Sequence, residues 1–123
     1  MTSHFFINEI DKPENFEYPQ TFIDYVSDDV GDLEPWKLLS SSEITSILRG
    51  LKQRYLNRVV VPFARRLDND DRACFDASES SIEHKIIIIH DFAAPGWEER
   101  AKLASFKDWL ELVEEDIKEW NED

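Results

Sequence analysis

The chain has 123 residues, 41% of them apolar and 12% aromatic, and its 27 acidic and 14 basic side chains give a net charge of −13. That apolar content excludes a disordered chain, and the length suits one modest core, so a single domain over 1–123 is expected. The charge disfavours nucleic acid and anionic membranes as direct partners and favours a basic protein.

No apolar run approaches the ~20 residues of a membrane span. The opening MTSHFFINEIDK lacks the basic n-region and long apolar core of a secretory signal. Cys74 is the only cysteine, so no internal disulfide can form, which fits a reducing, cytoplasmic setting. Charge is unevenly spread. Residues 1–36 sum to −8 and 108–123 to −7, while 37–58 sum to +4.

In chain order, Phe5, Phe6 and Ile7 read as a short strand or a docked arm. Phe22, Tyr25 and Val26 share a helical face, which predicts a short helix over about 20–27. An acidic loop follows, with Asp28, Asp29 and Asp32, closed by Glu34-Pro35. Trp36, Leu38 and Leu39 form a short apolar segment. Ser40 and Glu43 then fit a capping box, and Ile44, Ile47, Leu48, Leu51 and Tyr55 make the apolar stripe of a strong helix. Gly50 within it marks a close contact or, as the favoured reading, a tolerated surface glycine.

The centre of the chain has a sheet signature. Val59–Ala64 is β-branched, but Pro62 cannot donate to a ladder, so this is an edge strand or carries a bulge. A polar connection over 67–71 leads to a strand at Arg72–Asp76, and a Ser/Glu-rich loop over 77–84 follows. Ile86–Ile89 leaves neither face suited to water, which predicts a central strand covered on both sides. The short connections imply an antiparallel meander. Ala94-Pro95-Gly96-Trp97 suits a type II turn, and a charged segment follows. Ser105 and Asp108 then cap a last helix, with Phe106, Trp109, Leu110, Val113, Ile117 and Trp120 as its buried stripe. Glu111, Glu114, Glu115, Asp116 and Glu119 form its outer face. Together these predict an α+β domain, a mostly antiparallel sheet flanked by helices with the C-terminal helix packed on it.

No complete catalytic motif is present. Asp68, Asp70 and Glu79 fall at positions 1, 3 and 12 of an EF-hand loop, but position 5 would be Arg72 and position 6 Ala73 where glycine is needed. No metal or other cofactor is expected. His90-Asp91 ends the central strand without the further histidines of a metal phosphohydrolase, and reads as a satisfied, half-buried pair. Cys74 sits inside a strand and reads as a core thiol. The acidic C-terminal helix is not favoured by folding alone, because Glu111/Glu115 and Glu115/Glu119 are like-charge pairs one turn apart.

The segments PFARRLDNDDRACFD (62–76), IIIIHDFAAPGWEERA (86–101) and SFKDWLE (105–111), with Phe22-Ile23-Asp24-Tyr25 and Pro35-Trp36 before them, resemble the SUKH superfamily over roughly Tyr18 to Leu112. The resemblance implies an α+β domain with a central sheet. It also implies kinship with bacterial immunity proteins that neutralise toxins, often nucleases, and with fungal cell-wall regulators. It carries no catalytic residues.

The expected function is therefore a non-catalytic module binding a basic protein, a toxin domain, through acidic surface. Candidate contacts are Asp68, Asp70, Asp71, Trp97, Glu98 and Glu99, with Asp28, Asp29 and Asp32 as a second patch. Two alternatives stand beside it. One is a small metal-dependent hydrolase using His90 and Asp91. The other is a ligand sensor with a pocket between Trp36, Trp97 and the sheet.

Overall fold

A computed structural model describes residues 3–28 and 30–122. Five strands form one antiparallel sheet in chain order: β1 (Trp36–Leu38), β2 (Val60–Arg66), β3 (Asp71–Asp76), β4 (Ile86–His90) and β5 (Glu99–Leu103). Around it lie α1 (Gln20–Ser27), α2 (Ser41–Arg54) and α3 (Phe106–Asn121). The α+β class and the meander expected from the sequence are the ones the chain adopts. Among the described residues no helix is long and apolar enough to cross a membrane.

The four isoleucines explain the layering. Successive strand residues point to opposite faces. Ile86 and Ile88 join the larger core with Phe63, Phe75, Phe106 and Trp109. Ile87 and Ile89 join a second cluster with Leu51, Tyr55, Val60 and Cys74. The first face is covered by α1 and α3, the second by the C-terminal half of α2. The larger core is aromatic: Phe63 stacks on Phe75 at 4.5 Å, and Phe22, Phe106 and Trp109 meet them at edge-on or tilted angles. Such pairs add to the plain area effect.

Several sequence expectations are refined. Trp36–Leu38 is a strand, β1, paired to the end of β2 at Trp36↔Arg66 and Leu38↔Ala64. Because β1 covers only residues 64–66 of β2, Pro62 has no strand on its outer side and is also followed by a register shift between Pro62 and Ala64. Both accommodations for a proline in a sheet are used at once. The charged segment after Trp97 is the fifth strand. β5 was not legible because it is an edge whose side chains are mostly exposed, so it lacks the apolar alternation that marks a strand. Phe5–Ile7 forms no strand; it is a docked arm whose Phe6 carbonyl accepts from Ser41 Oγ. Trp120 stays 39% exposed in the last turn of α3.

The helix starts differ in strength. In α2 the Ser40 hydroxyl accepts from Glu43 N–H at 3.3 Å and Glu43 Oε1 accepts from Ser40 N–H at 3.0 Å, a complete capping box. In α3 Ser105 Oγ accepts from Asp108 N–H at 3.4 Å, and aspartate is one methylene short of the glutamate that would reach back. Ser40→Ala is expected to lower the unfolding free energy by about 1 kcal/mol. Ser105→Ala should cost less, and urea denaturation of the two variants checks the order.

Candidate functional site

Three separate stretches of chain meet at one end of the sheet. In this meander the β2–β3 hairpin (67–70) and the β4–β5 connection (91–98) leave at the same end, and the segment before β1 enters there. Backbone hydrogen bonds stitch them together: Leu67 N–H donates to the Pro35 carbonyl (2.8 Å), Asp91 N–H to Asp70 (3.0 Å) and His90 N–H to Glu98 (2.7 Å). The acidic helix α3 is tied to the same end. Asp116, expected on its outer face, turns inward, where Oδ2 accepts from Trp36 Nε1 at 2.9 Å and Arg66 Nη1 at 3.1 Å.

The candidate acids divide by environment. Asp28, Asp32 and Asp70 are exposed and form no ion pair among the described residues, and Glu34 beside them is the same. Asp29 lies outside the described residues. Asp68 is exposed but bonded to Arg66 (Nε, 2.8 Å), and exposed Glu99 faces Arg58 Nη1 at 3.2 Å. Asp71 and Glu98, placed on the surface by the sequence reading, are buried. Asp71 Oδ1 is bonded to His90 Nδ1 (2.8 Å) and forms an ion pair with Arg100 (Nε, 3.0 Å). Glu98 accepts from Arg58 Nε (2.9 Å) and Gly96 N–H (2.7 Å). Both charges are answered within the chain.

The 91–98 loop is braced from below. Asp91 is 2% exposed and takes a two-pronged bond from Arg54, Nε at 2.7 Å and Nη2 at 2.8 Å. Arg72 Nε lies 3.4 Å from Asp91 Oδ2, the oxygen that accepts from Arg54 Nη2. Tyr55 Oη donates to the Ala93 carbonyl (2.7 Å). Phe92 sits at φ 70°, which is costly for a bulky residue and persists only where its surroundings fix it. Here Asp91 Oδ1 accepts its N–H at 2.9 Å and the Arg54 guanidinium lies 4.1 Å from its ring. The Ala94–Trp97 turn forms as expected, with Gly96 at φ 97° and Trp97 N–H bonded to Ala94 at 2.9 Å. It holds Trp97 81% exposed, and Phe92 is 61% exposed.

These contacts bear on the alternatives. Both oxygens of Asp91 face guanidinium groups, and His90 is bonded to Asp71. Among the described residues no three His, Cys, Asp or Glu side chains are grouped to hold a metal ion. Trp36 lines a groove of about 350 Å³ with Phe5, Val30, Leu33 and Leu67, but Trp97 is not part of it. Cys74 is fully buried, and desolvation pushes its thiol pKa far up.

Sequence reasoning missed Arg54 and Phe92. The signal was Gly50, one helical turn before Arg54. A Cβ at Gly50 would lie 2.5 Å from Arg54 Nη2, so the glycine is a close-contact position. Alanine there gains about 1 kcal/mol of helix propensity but must displace the guanidinium from Asp91. Gly50→Ala is expected to stabilise the Arg54→Ala background and to fail to stabilise the native one. The double-mutant cycle reads that coupling.

Burial alone would raise the Glu98 pKa, but the backbone N–H donors and Arg58 outweigh it and hold it below the ordinary value. Glu43 is likewise lowered against its own burial by Ser40 and Lys37, and Asp68 is lowered by Arg66. A depressed folded pKa contributes stability above the unfolded value of about 4, lost as pH falls through the folded one. The melting temperature should therefore fall on acidification below about pH 5. The Glu98→Gln curve should lie below the native one at neutral pH and converge with it in acid.

No family model matches the chain, and no curated protein or solved structure matches it.

Proposed function

We propose that the chain is a non-catalytic protein-binding module that docks a basic partner on the acidic end of its sheet, in the manner of an immunity protein restraining a toxin. The observation that carries this reading is the meeting of three loops at one end. They leave Asp32, Glu34 and Asp70 exposed and, among the described residues, in no ion pair. Exposed carboxylates gathered on one surface attract a basic protein over distances comparable to the Debye length, about 8–10 Å, and raise the association rate. Trp97 and Phe92, held on a braced loop, supply apolar area that loses little freedom on contact. The resemblance to the SUKH superfamily points to the same class of activity, with a nuclease toxin as the partner.

The test is kinetic. The basic toxin domain recovered with the chain from its native host at low ionic strength is purified and mixed with the native chain and with Asp32→Lys/Asp70→Lys. The double reversal should slow association by roughly tenfold or more at low salt and flatten its salt dependence, with a smaller effect on dissociation. Association and salt dependence unchanged by the reversal would remove the proposal.

A further inference from the structure

On the α2 face of the sheet, Arg65 and Arg72 are direct cross-strand partners. Like charges directly opposite each other destabilise a sheet pair, a cost that the approach of Arg72 to buried Asp91 offsets on one side only. Neither cation is fully used. The nearest acid to Arg65 is Glu43, at 4.0 Å from Nε, and Glu43 already accepts from Lys37 and from the Ser40 N–H. Arg72 is drawn toward Asp91 at 3.4 Å, but its Nε is buried and makes no hydrogen bond. Asp91 itself is taken by Arg54. Arg65 and Arg72 line an open groove of about 640 Å³ between α2 and the β2–β3 hairpin, together with Ser46 and Asn69 and with the acids Glu43 and Asp68.

We infer that this groove is a binding site for a small carboxylate, held between Arg65 and Arg72 with Ser46 and the Asn69 amide as further donors. It borders the acidic docking end, with which it shares Asp70, but does not depend on that reading. A planar carboxylate accepts parallel bonds from a guanidinium fork. The choice of carboxylate over phosphate follows from charge. Asp70 also lines the groove without a cation of its own, and the chain carries −13. Repulsion from this field is about twice as large for a phosphate dianion as for a monoanion.

The test titrates the full chain with acetate and with propionate, against chloride and inorganic phosphate at matched ionic strength, following the arginine side-chain N–H signals by NMR. Carboxylate should saturate shifts at Arg65 and Arg72 that chloride does not produce. Arg65→Met, a half-exposed position where the stem is kept, should weaken binding by about tenfold or more, as expected for loss of a charge-assisted fork. Arg65→Lys should fall between. Shifts equal to those in chloride, binding unchanged in Arg65→Met, or phosphate binding tighter than either carboxylate would each overturn the inference.

Discussion

Everything in this molecule is arranged around a strand that water cannot touch on either side. Burying an isoleucine contributes about 1.5–3 kcal/mol, while fixing its backbone costs about 1–2 kcal/mol. Each residue of Ile86–Ile89 is therefore a net gain only if it is fully covered. That requirement sets two layers of helix, one per face, and places β4 between two neighbours. It also leaves little area for the rest of a short chain to hide. Polar groups are thereby pushed to the sheet's ends and to the outer faces of α2 and α3.

At one of those ends the chain solves a different problem. Connections that carry exposed aromatics must be held without a core beneath them. Arginines from α2 and the segment after it do this. Arg54 fixes Asp91, Arg58 fixes Glu98, and Tyr55 closes on the loop backbone. Such partly buried ion pairs contribute modestly to stability, because desolvation offsets much of the attraction. Their value here is positional. They hold Phe92 in a left-handed backbone conformation and present Trp97 to solvent. Two of the five cations in the basic stretch over 37–58, Arg54 and Arg58, serve this role.

The parts of the fold that were legible in sequence were those with a strong local signal. The isoleucine run, the Ser40/Glu43 cap and the proline-glycine turn each state their own geometry. β5 was illegible because an exposed edge has no apolar period, and β1 because three residues are too few to show one. The candidate site was half legible. Aspartates could be found by inspection, but whether each faces a partner or an arginine depends on which loops the sheet brings together. Asp70 and Asp71 are adjacent and opposite in this respect, one exposed and one buried under His90 and Arg100. Asp70 is the last residue of the hairpin loop and Asp71 the first of β3, and that boundary could not be fixed to one residue from composition.

The exposed rim formed by β5 carries one more implication. A sheet with an open side can grow by adding a second copy of itself. Two such strands related by a twofold axis keep every side chain on its own face, so residues facing across the junction are separated by an even number of positions. In β5 the register shift beside Ile89 leaves Arg100 as an extra residue that interrupts this alternation and bends the strand, and Arg100 and Lys102 keep like charge along it. Repulsion and curvature together guard this side against self-templated growth.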